Sequence, residues 1–221
     1  MLVVYAATRN YYHKLKPAVR SLLEHNDAEI IILAEDDNIP LDCPYTALNV
    51  AGQRFFRGPN VYTAYTYMSL MRLVLAVLLK AERVLYLDVD TIVLDDLTPV
   101  WETDMTGKWW AAVEERLGSW RPFGMPYYNS GVSLFSLEQM RADGITDIML
   151  QLANERPLRF PDQDILNVLC VPDHIVPLDV RYNECFCTGE TRNPAVVHYA
   201  GRPDYYENRM IYRREYLDRF L

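Results

Sequence analysis

A short, continuous apolar run that ends in two carboxylates constrains this chain more than any other feature. Residues 84–87 read Val-Leu-Tyr-Leu without polar alternation, which is typical of a parallel strand covered on both faces. Asp88 and Asp90 follow it, with Val89 between them. Side chains two residues apart on an extended chain share a face and lie about 6.6 Å apart. In open α/β sheets, ligands bind beyond the carboxyl ends of the strands, so this pair is predicted to lie at a binding site.

Two interpretations of this Asp-x-Asp pair are open from the residues alone. Carboxylate oxygens suit Mg or Mn, which keep coordination positions for substrate phosphates. Alternatively, the strand simply ends in a solvated acidic turn, which is the more common origin of a bare Asp-x-Asp. The rest of the sequence has to decide between a metal site and a surface turn.

Elsewhere the sequence alternates between strand-like and helix-like segments. Strands are predicted at residues 2–7, 30–33, 45–50, 109–113, 131–135, 176–178 and 196–199. Helices are predicted at residues 15–26, 65–79, 163–169 and 209–221, with Ser136 and Asp162 as candidate helix caps. The alternation predicts a single α/β domain over residues 1–221, with a mixed, mostly parallel sheet flanked by helices.

Composition and motifs exclude several classes of function. With 22 Lys and Arg against 30 Asp and Glu, the net charge of −8 argues against a nucleic-acid partner. Met1 leads into apolar residues without a signal peptide, and the apolar run at 73–79 is too short to span a bilayer, so we expect a cytoplasmic protein without a transmembrane segment. The sequence has no G-x-G-x-x-G, Walker A or H-E-x-x-H motif. A metal-assisted reaction on a phosphorylated substrate remains as the leading enzymatic class.

Five sequence blocks together carry a resemblance to a known family. They are residues 4–11 (VYAATRNY), 83–101 (from RVLYLDVD to LTPVW), 127–132 (YYNSGV), 161–167 (PDQDILN) and 198–201 (HYAG). In order and content they resemble glycosyltransferase family 8, the group of glycogenin and the bacterial lipopolysaccharide galactosyltransferases. The resemblance implies a nucleotide-diphospho-sugar transferase (GT-A-like) fold and a retaining transfer of glucose or galactose from a UDP-sugar, with Mn or Mg as cofactor. It favours the metal-binding interpretation of the Asp pair.

The resemblance also implies the ligands of that metal. Asp88, Asp90 and His198 would hold Mn, and two hard oxygens with one imidazole suit this ion. Without the family, His198 would be interpreted as a core histidine at a strand end. Arg72 matches an arginine that reaches the donor diphosphate or sugar, the alternative being a charge that ends an apolar helix face.

Substrate positions implied by the resemblance fall in three groups. The uridine would be held by Ala6, Thr8, Asn10 and Tyr11, although Tyr11 could equally be the hydrophobic staple of the following helix. The sugar pocket would be lined by Asn129, Asp162, Gln163 and Asp164, with Gln163 near the reacting carbon and Glu114 or Glu115 close by. Val89 and Ser130 are further substrate-binding positions. Gly201 matches a glycine that lets the backbone approach phosphate. Because Gln163 is a weak nucleophile, we favour a front-side route over a covalent intermediate.

One position departs from the family pattern. Asp204 stands where the family commonly has a lysine, and Arg202 is the nearest candidate to replace it. This departure motivates an alternative of another class, a module that binds a nucleotide-sugar or glycan with weak or no turnover. A metal-dependent nucleotidyltransferase is a second alternative, although the first strand-to-helix turn has no glycine for a phosphate-binding loop. The acceptor, whether glycan, lipid-linked or protein, is not specified by the sequence.

Overall fold

The strands and helices alternate along the chain much as the apolar pattern predicts. The structure, a computed structural model, describes residues 1–63, 65–116, 126–201 and 213–221. The strands in these ranges are β1 Leu2–Ala6, β2 Glu29–Ala34, β3 Thr46–Asn49, β4 Arg83–Leu87, β5 Thr91–Val93, β6 Trp110–Glu114, β7 Tyr128–Ser136, β8 Ile175–Leu178 and β9 Val196–His198. The helices are α1 Tyr12–His25, α2 Thr66–Leu70, α3 Leu75–Leu78, α4 Thr98–Trp101, α5 Leu137–Ala142, α6 Ile145–Glu155, α7 Pro161–Cys170 and α8 Arg214–Asp218.

Seven of these strands form one sheet in the order β3-β2-β1-β4-β7-β6-β8. Strand β7 pairs antiparallel with both β4 and β6, whereas the other neighbouring strands of the sheet pair in parallel. Strands β5 and β9 form a separate two-stranded antiparallel sheet. The predicted mixed, mostly parallel sheet flanked by helices is therefore confirmed.

Alternate residues of the central strands enter two different apolar clusters, one on each face of the sheet. Val4 and Tyr86 pack with apolar residues of α2, α3, α5, α6 and α7. Val3 and Leu85 pack on the opposite side with residues of α1. Because both faces are covered, these strands carry apolar side chains at successive positions and lack polar alternation.

The chain passes from one sheet to the other at the Asp pair. The connection from β4 to β5 is held by two backbone hydrogen bonds, in which Asp88 N–H donates to the carbonyl of Gly131 (2.8 Å) and Tyr199 N–H donates to the carbonyl of Asp90 (2.9 Å). Strand β9 runs beside β5 and brings His198 next to this turn. The fold thus joins the Asp pair to a histidine that lies far away in the sequence.

The single helix predicted over residues 65–79 is wrong. The structure has α2, a 3₁₀ segment at Met71–Val74 and then α3. Within the tighter segment, Nε of Arg72 donates to the carbonyl of Ser69 at 3.0 Å, and the guanidinium is turned into the protein. An apolar run marks burial, but it carries no signal for a mid-helix change of winding.

Of the two predicted helix caps, Ser136 is confirmed in position and Asp162 is wrong. Ser136 occupies the N-cap position of α5, but its side chain makes no capping hydrogen bond. Asp162 lies inside α7, whose N-cap residue is Phe160, and its carboxylate pairs with Arg72 instead. At the C-terminus, α8 is shorter than the predicted helix, and residues 209–212 of that prediction lie outside the described ranges, as do Arg202 and Asp204. No helix in the described ranges is long and apolar enough to cross a membrane.

Candidate active site

A cavity of about 610 Å³ lies beyond the carboxyl ends of β1 and β4. The chain that follows β1 and the first turn of α1 form one wall, and the β4–β5 turn forms its floor. The start of β7 and the start of α7 form the opposite wall, and residues after β9 complete it. The edge of the sheet predicted to carry the site is therefore the edge that opens into this cavity.

Most of the predicted site residues line this cavity. They are Ala6, Thr8, Tyr11, Arg72, Asp88, Val89, Asp90, Asn129, Ser130, Asp162, Gln163, His198 and Gly201. Asn10 and Asp164 do not line its described part. Asn10 is exposed on a 3₁₀ segment, while Asp164 accepts hydrogen bonds from the hydroxyl of Tyr127 (2.6 Å) and the backbone N–H of Phe160 (3.0 Å). These bonds hold the Asp164 carboxylate at the start of α7, away from the cavity.

Asp88, Asp90 and His198 form a cluster that can hold a metal ion. One ligand atom from each residue lies within 4.8 Å of the other two. Nε2 of His198 is 3.3 Å from Oδ1 of Asp90 and 3.7 Å from Oδ2 of Asp88. Two carboxylate oxygens and one imidazole nitrogen are a donor set that suits Mn, and three protein ligands leave coordination positions for oxygens of a substrate.

A hydrogen bond fixes the orientation of the His198 ring. Nδ1 of His198 lies 2.9 Å from Oδ1 of Asn183, whose own Nδ2 donates to Oδ1 of Asn129 at 2.9 Å. The amide oxygen is therefore the acceptor, Nδ1 carries a proton, and Nε2 faces the carboxylates. Metal-binding histidines are commonly oriented through their second nitrogen in this way. Nothing in the sequence marks Asn183 as part of the site, because only the folded chain brings it beside β9.

The charges of the cluster act strongly on one another. Burial lowers the pKa of His198, but the charge and hydrogen bond of Asp90 outweigh burial and raise it to about 9. Burial raises the pKa of Asp88, and the neighbouring Asp90 adds to this against the opposing charge of Arg72. Burial also acts to raise the pKa of Asp90, but His198 holds it below its usual value. Such a concentration of negative charge favours a divalent cation, which would replace the proton on Nε2.

Arg72 is a buried cation between two of the carboxylates. It is 3% exposed, with Nη2 2.6 Å from Oδ1 of Asp88 and Nε 3.1 Å from Oδ2 of Asp162. Nη1 donates to the carbonyl of Ser130 at 2.5 Å, and Nη2 also donates to the hydroxyl of Tyr86 at 3.2 Å. All three guanidinium nitrogens thus face protein acceptors. Arg72 does not end an exposed helix face; it fixes Asp88 relative to Asp162.

A hydrogen-bond network connects the polar residues of the opposite wall. Oε1 of Glu115 accepts from Nδ2 of Asn129 and from Nε2 of Gln163, both at 3.0 Å. Oε1 of Gln163 accepts from the backbone N–H of Ser130 at 3.0 Å. The Gln163 amide is therefore held at both ends. The sequence leaves Glu114 and Glu115 as alternatives. Glu115 lines the cavity, and Glu114 does not.

Gly131 is a further residue whose role is not apparent from the sequence. A Cβ atom at this position would lie 2.0 Å from Cε1 and 2.6 Å from Nδ1 of His198. No real contact is that short, so the absence of a side chain at residue 131 makes room for the ring. The contact is between β7 and β9, and no local pattern in the sequence predicts it.

We expect Gly131→Ala to displace His198 and to weaken Mn binding by at least about 10-fold, because changes around metal-binding histidines commonly cost that much. Calorimetric titration with Mn measures the effect. Gly52→Ala is the matched control, since a Cβ there meets nothing within 4 Å. Equal Mn affinity of the Gly131→Ala variant and the unchanged protein would contradict this role.

The fold is that of a glycosyltransferase of the GT-A-like class. It superposes on LgtC, solved as an active-site mutant, with a TM-score of 0.77 at 21% identity, covering 100% of this chain and 95% of that one. The chain belongs to glycosyltransferase family 8, whose sequence model (Glycosyl transferase family 8) matches residues 2–203. The family resemblance and the GT-A-like fold expected from the sequence are confirmed.

Two curated relatives illustrate how the chain compares in length. General stress protein A of Bacillus subtilis (strain 168) is 31% identical over an alignment of 164 positions, which covers 61% of this chain and 57% of that protein. Lipopolysaccharide glucosyltransferase WaaO of Escherichia coli (strain K12) is 29% identical over an alignment of 148 positions, which covers 55% of this chain and 43% of that protein. The matched part of the chain thus corresponds to about half the length of these relatives.

Proposed function

We propose that this chain transfers a hexose, glucose or galactose, from a UDP-sugar to a hydroxyl group of a glycan, lipid-linked or protein acceptor, with retention of anomeric configuration. Mn is the proposed cofactor and Mg its alternative. The observation that carries the proposal is the cluster of Asp88, Asp90 and His198 in a large cavity of a family 8 chain. The names of WaaO, a glucosyltransferase, and LgtC, a galactosyltransferase solved with donor and acceptor sugar analogs, support the choice of donor.

We assign the wall formed after β1 to the uridine. Ala6 has a small side chain that lets a base approach the backbone, Thr8 offers a hydroxyl, and Tyr11 offers a ring for stacking. Asn10, exposed beside this wall, remains a predicted contact to base or ribose. Asn129, Ser130 and the other polar groups of the opposite wall are assigned to the hexose, whose hydroxyls each donate and accept hydrogen bonds.

We assign the region between these walls to the diphosphate. Asp88, Asp90 and His198 would hold the cation, which when bound supplies positive charge to the phosphate oxygens and the departing UDP. Gly201 lines the same cavity with a φ of +67°, a left-handed conformation that glycine adopts without steric cost, and its backbone can approach a phosphate.

The hydrogen bonds of Gln163 favour a front-side route. Its amide is held by Glu115 and Ser130 and is a weak nucleophile. Asp164 is engaged at the start of α7, and Asp162 is paired with Arg72. A carboxylate would have to leave its partners before it could attack the sugar. We therefore infer that the acceptor hydroxyl enters on the side from which UDP departs, with Asp162 orienting sugar hydroxyls.

A turnover assay across nucleotide-sugars tests this proposal. The protein is incubated with UDP-glucose, UDP-galactose and other nucleotide-sugars in the presence of Mn, Mg or a chelator, and released nucleoside diphosphate is measured. We expect UDP release from one of the UDP-hexoses with Mn, and little release with the chelator. Proton NMR of the product reports whether the anomeric configuration is retained.

The other outcomes of the assay separate the alternatives. Binding of a UDP-sugar without release of UDP would favour a binding module, and release of pyrophosphate from a nucleoside triphosphate would favour a nucleotidyltransferase. Mass spectrometry of the protein after incubation with donor alone tests the route. A competent hexose adduct on Asp162 or Asp164 would overturn the front-side assignment.

A further inference from the structure

The side chains that line the described part of the cavity include more carboxylates than Lys and Arg residues. Such a surface is unfavourable for binding a diphosphate, which is itself negatively charged. Four carboxylates line its described part: Asp88, Asp90, Glu115 and Asp162. Arg72 is bound to two of them, so its charge is largely balanced within the protein. A phosphate group brings further negative charge, and a cation bound by the cluster offsets only part of the total. Additional positive charge close to the phosphates would therefore strengthen binding.

Lys14 is the second Lys or Arg side chain that lines the described part of the cavity. It lies in the first turn of α1 and is only 4% exposed, with its ammonium nitrogen 4.8 Å from the centroid of the Tyr11 ring. Lys16, on the same helix, points to the surface. Its side chain is 46% exposed and pairs with Asp42. The inward position of Lys14 is thus specific to this side chain and is not general to the helix.

Two observations locate the Lys14 ammonium within the cavity. Its contact with Tyr11 puts it beside the wall assigned to uridine. Further along α1, Oγ of Ser21 accepts from the backbone N–H of Val93 at 2.9 Å, and Oδ1 of Asn26 accepts from that of Leu97 at 2.7 Å. The helix thus runs alongside the chain that leaves the Asp pair, and its first turn lies at the Asp90 end. The ammonium therefore lies near both the uridine wall and the metal cluster. In a UDP-sugar, the ribose and the phosphate attached to it lie between the base and the second phosphate, which carries the sugar.

We propose that Lys14 is a phosphate ligand and binds the phosphate nearest the nucleoside; this inference rests on the proposed function. An ammonium has three N–H donors, so it can contact the Tyr11 ring and donate to a phosphate oxygen at the same time. Because Lys14 is already largely removed from water and held against a ring, it loses little hydration or mobility when the phosphate binds. A buried, fixed ammonium is thus a stronger phosphate ligand than a lysine on the surface.

The test compares uridine, UMP and UDP as ligands of four proteins: the unchanged chain, Lys14→Gln, Lys14→Arg and Lys16→Gln. Calorimetry is performed with Mn and with a chelator, so that the contribution of Lys14 is separated from that of the metal. Lys14→Gln should weaken UMP and UDP binding by roughly 10- to 100-fold, as expected for hydrogen bonds between charged groups, and change uridine binding by less than about twofold. Lys14→Arg should recover most of the loss, and Lys16→Gln, which removes the same charge outside the cavity, should bind like the unchanged chain.

Two results would overturn the inference in distinguishable ways. In the first result, the unchanged chain binds UDP, and Lys14→Gln either binds UDP equally well or has lost affinity for uridine, UMP and UDP to the same extent. Lys14 is then not a phosphate ligand, and the proposed function is unaffected. If the unchanged chain binds no UDP with Mn, both the proposed function and this inference fall. Thermal unfolding of each variant shows whether a loss of affinity reflects a loss of folding.

Discussion

Replacing Asp90 with asparagine should remove Mn-dependent UDP binding, and turnover with it. Asp90 is the carboxylate closer to Nε2 of His198, at 3.3 Å, and a neutral amide is a poorer ligand for a divalent cation than a carboxylate. Substitutions that only touch the surroundings of a metal site cost about 10- to 100-fold in affinity, so a change of the ligand itself should cost at least about 100-fold. Calorimetric titration of UDP in the presence of Mn measures this loss.

Two comparisons make the Asp90 experiment specific. Asp37→Asn removes the same charge from an exposed position outside the cavity and should leave UDP binding unchanged. With a chelator, the unchanged protein and the Asp90→Asn variant should bind UDP equally weakly, because the metal bridge is then missing from both. If the unchanged protein binds UDP with the same affinity in Mn and in chelator, the metal-bridged arrangement is refuted.

The local part of the site is predictable from the sequence. The apolar run at 84–87 and the two carboxylates after it are a short-range pattern, and they predict a buried strand that ends at a binding site. The structure has β4 at Arg83–Leu87 and a turn that contains both carboxylates at the edge of the cavity. A strand covered on both faces needs no information from distant residues to be recognised.

The residues that complete the site are not predictable in that way. Only the family resemblance predicts His198 beside the Asp pair, because the pairing of β5 with β9 joins segments far apart in the chain. No pattern in the sequence indicates Asn183 or Gly131. Asn183 acts by a hydrogen bond to the His198 ring, and Gly131 acts by having no side chain where that ring packs. Both roles are properties of tertiary contacts, and neither leaves a periodic pattern in the sequence.

Arg72 is predictable from the sequence only in part. Its position in a dense apolar stretch predicted a helix, and the real chain changes winding at that residue. The partners of the side chain are visible only in three dimensions: the guanidinium lies between Asp88, Asp162 and the carbonyl of Ser130. The same contacts explain why Asp162 pairs inside the protein and does not cap α7. A buried charge is stable only together with its partners, which here come from distant parts of the chain. A periodic pattern describes each segment alone and does not predict such a pairing.

Arg72→Leu should therefore destabilise the fold by about 3–5 kcal/mol, because removing one partner of a buried ion pair leaves an uncompensated buried charge. Urea denaturation measures the free energy of unfolding. Arg72→Lys should recover only part of the loss, since a lysine ammonium cannot reproduce the planar arrangement of donors that serves Asp88, Asp162 and Ser130 together. Arg57→Leu, which removes an exposed arginine, is the control and should change stability by less than about 0.5 kcal/mol.

A double variant separates the structural role of Arg72 from a direct contact with the donor. Adding Asp162→Asn to Arg72→Leu removes one of the carboxylates left without a cation, so the combined loss of stability should be smaller than the sum of the two single losses. Turnover should not return in the double variant, because Asp162 is also proposed to orient the sugar. If Arg72→Leu is as stable as the unchanged protein but inactive, the guanidinium acts on the donor itself, and its bonds to Asp88 and Asp162 give way when the donor binds.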